Sequence, residues 1–361
     1  MTRVAGIADV HLGNHQVFGG PVQRGINTRA QQVLDALDAA LAADNCPDLV
    51  VCGDLFDVVR PLPQHIAAVQ QRLGQYPGAV HVVVGNHDQV SSQPGDHACS
   101  PLAPVARVYD TPTAAGGVVA VPFINAPVAT YLPQALERVG RQHTQGALLA
   151  IHAGIEDRRT PKFLRGAHDS IPATQLFTIM EEWGIQACFA GNWHDQRYWR
   201  SGTMEIAQIG ATCPTGFDNP GPEGYGGFAI WHPFKDPGER IELRQLPGPR
   251  FLKGRSVEAV TAQFGKAPDG CVFYASVVAS LEDFDAVCAE LERLKQDGVL
   301  AGWKAELDGK QVQAMVADAV ADAGEQSTQR ESLHAYVRKM PLDTGLARDR
   351  VLAICLDALA S

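Results

Sequence analysis

Five times between Val4 and His194 an apolar run passes directly into a short segment built from Asp, Asn, His and Gly. These segments are Asp9-Val10-His11, Gly53-Asp54-Leu55-Phe56-Asp57, Gly85-Asn86-His87-Asp88, His152 after Leu148 to Ile151, and Gly191-Asn192-Trp193-His194. Short apolar runs bounded by turn formers read as buried strands ending in loops. A sheet holds such loops rigid while their tips converge, which is where α/β folds place their sites.

The runs predict strands at Val4 to Ala8, Asp48 to Cys52, Val80 to Val84, Val118 to Val121, Ala147 to Ile151 and Ala187 to Ala190. Ile26, Ala30, Val33, Leu34, Leu37 and Leu41 recur at helical spacing, so a helix joins the first two strands. The alternation is that of a layered α/β domain. After Gly202 short strands punctuated by prolines follow (Glu205 to Ile209, Gly227 to His232, Arg240 to Arg244), read as antiparallel and closing the domain near residue 246. Leu246-Pro247-Gly248-Pro249 reads as a linker, since prolines flanking a glycine suit neither helix nor central strand.

Beyond the linker, a strand at Cys271 to Val278 precedes a helix opened by Ser280 with Asp283 three residues on. Phe284, Val287, Cys288, Leu291 and Leu294 line one face of that helix, Gly298 stops it, and a strand follows at Gly302 to Leu307. Residues Asp322 to Arg330 are polar and read as loose, and Leu333 to Leu359 as helical. The expected division is 1–246 for a catalytic domain, 250–321 for an α/β cap and 329–361 for a C-terminal helical segment.

A chain of 361 residues has ample capacity for two domains, and 45% hydrophobic against 19% charged residues is globular composition. The net charge of −10 excludes a protein that coats nucleic acid through bulk positive charge. It leaves a nuclease open, because a carboxylate-rich site is negative until metal arrives. The eight cysteines form no CxxC pair and read as reduced thiols. With no apolar leader and no run long enough to span a membrane, the expected location is cytoplasmic.

Two divalent ions a few Å apart need many donors and one carboxylate able to serve both. Asp54 is the natural bridge. Asp9, His11 and His194 complete one shell, and Asn86 with His152 hold the other ion. Mixed imidazole, carboxylate and amide donors suit Mn²⁺, Fe²⁺ or Zn²⁺ rather than a calcium cage.

These residues resemble the calcineurin-like metallophosphoesterase superfamily, whose pattern runs D-x-H, G-D-x-x-D, G-N-H-D/E, H and G-H-x-H. The resemblance covers roughly residues 4 to 232, and an ordered set of five motifs is far more specific than any one of them. It implies a sandwich of two mixed sheets flanked by helices, with a smaller C-terminal α/β cap and terminal helices. Within the superfamily the chain looks most like SbcD-type nucleases of DNA break repair, in Ala8-Asp9-Val10-His11-Leu12-Gly13 and in Gly53-Asp54-Leu55-Phe56-Asp57.

That resemblance implies a two-metal, Mn²⁺-dependent hydrolysis of DNA phosphodiesters, with Mg²⁺, Fe²⁺ or Zn²⁺ as other candidate ions. His87 would protonate the leaving oxygen. Asp57 would orient and support His87 rather than bind metal, since a histidine beside a carboxylate stays cationic. The implied partners are DNA, an ATPase of the coiled-coil SbcC type contacted through C-terminal helices, and a second copy of the chain, with no membrane involved.

One departure stands out: the first His of the last motif is Asn192. Either its amide oxygen is a substitute ligand, or the second metal is lost; His168 is a further candidate replacement. For DNA contact, Arg158, Arg159, Lys162 and Arg165 follow His152, and Arg197, Tyr198, Trp199 and Arg200 follow His194, mixing cations with aromatic faces. The bland reading makes the first group a solvated loop and the second group core aromatics. Asp88 reads equally as a turn-stabilising carboxylate or a catalytic one. The rival functions are a small-molecule or protein phosphatase on the same metal core, and a degenerate scaffold that binds DNA without cutting.

Overall fold

Alternate residues of the strand Val4–Ile7 belong to two different cores, and that alternation explains the layering seen in a computed structural model of the chain. The structure describes residues 2–219, 227–246, 248–264, 272–311 and 313–314. Val4 packs into a core shared by two sheets, whereas Ala5 and Ile7 pack against helices on the outer face. A strand exposes opposite faces at successive residues, so a run apolar at every position is buried on both sides. Asp48–Cys52 repeats the arrangement, with Val50 and Cys52 inward and Leu49 and Val51 outward.

The first sheet runs Ile241–Gln245, Gly227–Trp231, Val4–Ile7, Asp48–Cys52, Ala79–Val83, Arg107–Tyr109 in spatial order. Its last four strands are mutually parallel, and the Gly227–Trp231 pairing is antiparallel on both sides. The second sheet runs Arg197–Ser201, Met204–Gln208, Ala187–Gly191, Leu148–His152, Val118–Val121, Thr113–Ala115. Helices Thr28–Ala42 and Pro63–Leu73 cover the first sheet, and Val128–Val139 and Ala173–Trp183 cover the second. The result is a helix–sheet–sheet–helix sandwich of mixed sheets.

Two expectations change. The strand expected at Glu205 to Ile209 runs parallel to Ala187–Gly191, because it enters the second sheet beside that strand, and is antiparallel only to Arg197–Ser201. Arg197–Ser201 is itself a strand that alternation alone did not reveal, since its half-buried face pairs Arg197 with Trp199 and its exposed positions carry Tyr198, Arg200 and Ser201. Gly202, at φ 57°, supplies the left-handed conformation of the two-residue turn joining it to Met204–Gln208.

The chain divides after Arg250 into two compact units. The second has a three-stranded sheet in the order Arg250–Gly254, Phe273–Ala279, Gly302–Leu307, of which the first strand and the helix Val257–Phe264 were not anticipated. The helix Phe284–Gln296 buries Phe284, Leu291 and Leu294. Ser280 and Asp283 bond reciprocally one turn ahead of it, main-chain N–H to Oγ at 3.1 Å and hydroxyl to carboxylate at 2.6 Å. Cys271, Pro247, the polar stretch 322–330 and the helical segment expected from Leu333 to Leu359 lie outside the described residues. Among the described residues no helix is long and apolar enough to cross a membrane, and Cys46, Cys52, Cys99, Cys188 and Cys213 are buried free thiols.

Candidate metal centre

All five motifs emerge from adjacent strand ends, and main-chain bonds tie their loops side by side. Asp9 N–H donates to the Gly53 carbonyl at 3.1 Å, His11 N–H to that of Asp54 at 2.9 Å, and Thr212 N–H to that of Ala8 at 3.0 Å. The loops turn sharply: Asp9, His11, Asp54 and Asn192 all have positive φ, at 50°, 49°, 51° and 82°. Left-handed backbone is costly for a side chain such as histidine and persists where the surrounding structure enforces it, commonly at functional sites. Two glycines make the approach possible. A methyl on Gly53 would stand 2.1 Å from His152 Nδ1, and one on Gly85 would stand 2.2 Å from Asp54 Oδ1.

Asp88 proves to be the staple of this assembly. Fully buried, its carboxylate accepts N–H from Phe56 at 3.0 Å, Gly85 at 3.0 Å and, more weakly, Leu55 at 3.4 Å, joining the second motif's loop to the third. Buried N–H groups left without an acceptor are expensive. Asp88→Ala should therefore destabilise the fold by about 2–4 kcal/mol in urea titration, with two good donors stranded; a change below about 0.5 kcal/mol would mean the loops are held by other means.

The ligand atoms converge on a small volume. Asp54 Oδ2 lies 3.2 Å from His152 Nε2 and 3.8 Å from His11 Nε2, while Oδ1 accepts the His87 N–H at 2.9 Å. His152 donates from Nδ1 to the Cys52 carbonyl at 2.8 Å, so Nε2 is the end presented to Asp54 and to Asn86 Oδ1, 2.8 Å away. His11 and His194 face each other through their Nε2 atoms at 3.1 Å. Three triads bring one ligand atom apiece within 4.8 Å of one another: Asp9, His11 and His194; Asp9, Asp54 and His152; and, nearer the surface, His11, Asp57 and His87. Asp9 Oδ2 is buried with no hydrogen-bond partner. A buried carboxylate oxygen without a partner beside converging imidazole nitrogens is the donor set a divalent cation satisfies. The residues therefore fit a metal centre.

The electrostatics show what the ion must displace. Burial works against charge on His152, yet Asp54 and Asp9 outweigh it and lift the ring to about 10. Burial also opposes charge on Asp54, but His152 and His11 hold it well below the usual carboxylate range. Burial pushes Asp9 up to about 6, countered by His152 and reinforced by Asp54. His11 is raised by Asp57, Asp54 and Asp9 against its own burial, and burial with neighbouring His11 brings His194 down to about 4.

Without metal, His152 thus carries a proton at neutral pH that ligation through Nε2 must expel. Metal binding at pH 7 is expected to release about one proton or more, and affinity should rise between pH 6 and 9. Titration calorimetry in buffers of different ionisation enthalpy measures this, and uptake with no release would remove His152 from the ligand set.

Other expected site residues are placed as follows. The Asp57 carboxylate lies on the more buried ring, 3.4 Å from His11 Nδ1, and it is the Asp57 main-chain carbonyl that accepts from His87 Nδ1 at 3.1 Å. The support expected for His87 is therefore main-chain. Asn192 N–H donates to Asp9 Oδ1 at 2.9 Å, and its side-chain Nδ2 donates to Asp169. His168 is exposed; its neighbour Asp169 makes the contact instead.

Arg158, Arg159, Lys162 and Arg165 are exposed, with Arg159 ion-paired to Asp157 at 2.8 Å. Arg197 binds Asp157 and Asp195, and Trp199 donates to Asp157 Oδ2 at 3.1 Å while packing on the outer core, so both are engaged inside the protein. A cleft of about 550 Å³ beside them is lined by Asp157, Arg158, Arg165, Phe177 and Trp199.

Three further residues hold the site. Thr215 Oγ1 meets His194 Nδ1 at 3.1 Å, and Gln208, fully buried, accepts from Ile155 N–H and donates to the Asp195 carbonyl, linking the loops after His152 and His194. Asp169 is the third. No local motif marks them, because each partner is distant in the chain.

A two-sheet sandwich with carboxylates and imidazoles gathered at its strand ends is the architecture of a candidate metal centre. The chain belongs to the calcineurin-like phosphoesterase family, whose model matches residues 2–196. The family is one of metal-dependent phosphoesterases, and its use of two divalent ions meets candidate donors here. No curated protein matches the chain. Among solved structures, a protein described as a 5′-nucleotidase from Staphylococcus aureus in complex with alpha-ketoglutarate aligns at 12% identity and TM-score 0.39, over 68% of this chain and 53% of that one. The chain thus spans about half of that protein's length. GAP50, the anchor in the inner membrane complex of Plasmodium, aligns at 13% identity and TM-score 0.35, over 74% of this chain and 95% of that one.

Proposed function

We propose that the chain is a Mn²⁺-dependent DNA nuclease of the SbcD type, acting in DNA repair or recombination. The observation that carries this reading is a contrast of exposure: Asp9, Asp54 and His152 are buried, while His87 is exposed, as are Arg158, Arg159, Lys162 and Arg165 in the loop that follows the His152 strand. An open rim admits a polymer that continues past the reacting phosphate. The exposed cations of the loop after His152 would grip the phosphates flanking the scissile bond.

Asp9, His11, Asp54 and His194 would hold one ion, and Asp54, Asn86, His152 and Asn192 the other. Bound ions would supply polarisation of the phosphate and acidification of water. The chain's own residues do the rest. Asp54 and the His152 ring, fixed by the Cys52 carbonyl, hold the centre's geometry. His87 delivers a proton to the departing ester oxygen as the P–O bond breaks. An amide at position 192 in place of imidazole makes the second shell richer in oxygen, which favours Mn²⁺ over Zn²⁺.

Linear DNA, bis(p-nitrophenyl) phosphate and p-nitrophenyl phosphate compared under Mn²⁺ test the substrate class. Cleavage of DNA and the diester well above the monoester is expected. Monoester hydrolysis without DNA cleavage would replace the nuclease with a phosphatase, and inactivity with no bound metal would replace it with a scaffold. The reading extends to an SbcC-type ATPase partner and a homodimer, which co-purification and sedimentation test.

A further inference from the structure

We infer that Asp169 is a positioning residue that sets which end of the Asn192 amide faces the metal centre, and so sets the second ion's affinity and preference. The inference rests on the two-ion reading above and concerns a residue outside the five motifs.

An amide offers a cation only its oxygen, because its nitrogen lone pair is delocalised and its two N–H groups repel positive charge. Position 192 is therefore useful to an ion in one orientation alone. Asn192 Nδ2 donates to the Asp169 carboxylate at 3.0 Å and to its main-chain carbonyl at 3.2 Å, so both N–H groups have acceptors on that side. A planar amide held by its nitrogen turns its oxygen the other way. The main chain is fixed as well: Asn192 N–H donates to Asp9 Oδ1, and the φ of 82° is one that asparagine tolerates better than most residues.

Asp169 is itself anchored to the other loop of the centre. Its main-chain carbonyl accepts Gly154 N–H at 2.9 Å, two residues beyond His152, and the strand Ser170–Pro172 that follows pairs in parallel with Gly154–Glu156. The carboxylate thus reports the position of the His152 loop to Asn192. With the oxygen forward, the second shell draws oxygen from Asp54, Asn86 and Asn192 and nitrogen from His152. The first draws equally on carboxylate and imidazole. Oxygen-rich sites take Mn²⁺ readily and lose part of the advantage that imidazole gives Zn²⁺.

Metal binding to the stripped full-length chain tests this by titration calorimetry with Mn²⁺ and with Zn²⁺, and by electron paramagnetic resonance of coupled Mn²⁺ pairs. The parental chain is expected to take two Mn²⁺. Asp169→Ala should weaken the second Mn²⁺ by about tenfold or more and leave the first within about twofold, as outer-shell substitutions do. Asp169→Asn, which keeps an acceptor oxygen, should recover most of the loss. Asn192→Gly tolerates the backbone angle and removes the amide outright, so it should match Asp169→Ala, and the double variant should be no worse than either.

Should Asp169→Ala fail to fold by circular dichroism, Asp169→Asn set against Asn192→Gly still decides, because only the latter should lose the second ion. Additive losses in the double variant, or a parental second Mn²⁺ affinity in Asp169→Ala, would overturn the inference while leaving the nuclease reading intact. A parental chain that takes up no metal and cleaves no ester would overturn both.

Discussion

Asp54→Ala is expected to hold neither ion and to lose hydrolysis by about 10⁴-fold or more, the largest effect of any single substitution in the chain. The reasoning is geometric. Asp54 Oδ2 stands 3.2 Å from His152 Nε2 and 3.8 Å from His11 Nε2, one ligand ring from each expected shell, and Asp9 is the other carboxylate whose ligand atoms come within 4.8 Å of both rings. Removing it leaves His152 without the anion that chiefly holds its charge, while His11 keeps Asp57. A companion variant, Asp54→Asn, keeps an oxygen for the His87 N–H while removing the charge, and should also lose both ions if sharing of the negative charge is what matters.

The same substitution has a signature in the metal-free protein. His152 sits above its ordinary value, at about 10, so its pairing with Asp54 contributes stability that is full below about pH 6.5 and is lost as pH rises through about 10. Asp54, held low, contributes above the ordinary carboxylate range and loses that contribution as pH falls through its depressed value. In chelator, parental melts should therefore fall towards alkaline pH more steeply than those of Asp54→Ala. A variant that retains two ions by metal analysis would remove Asp54 from its bridging role.

The legible and illegible parts of this site divide along a physical line. Strand ends were readable because a run apolar at every position, such as Leu49-Val50-Val51-Cys52, is buried on both faces and must stop where Gly53 and Asp54 begin. The helix Thr28–Ala42 was readable from its apolar spacing. Arg197–Ser201 was not, because an edge strand carries cations and aromatics that look like a binding loop until its pairing is known. Roles that depend on which atom faces inward were also hidden: the sequence places Asp57 three residues after Asp54, but not that its carboxylate goes to His11 and its carbonyl to His87. Asp88 was ambiguous for the same reason. Asp169, Gln208 and Thr215 act on partners that only the fold brings near.

His87→Ala is expected to keep both ions and still cut DNA about 10²–10⁴ times more slowly, the range a positioned acid contributes. His87 Nδ1 donates to the Asp57 carbonyl, its ring packs edge-on to His11 at 4.8 Å, and its exposed side chain clusters with His11 and Asp57, outside the two triads around Asp9. Losing it therefore removes a proton donor and leaves the ligands in place. The distinguishing measurement compares leaving groups. A deoxyribose oxygen departs poorly as an anion and needs its proton, whereas p-nitrophenolate is a stable anion and departs without one. The penalty should accordingly be much smaller on bis(p-nitrophenyl) phosphate than on DNA. An equal penalty on both substrates would mean that His87 only grips the phosphate, and a parental rate on DNA would mean that the proton comes from elsewhere.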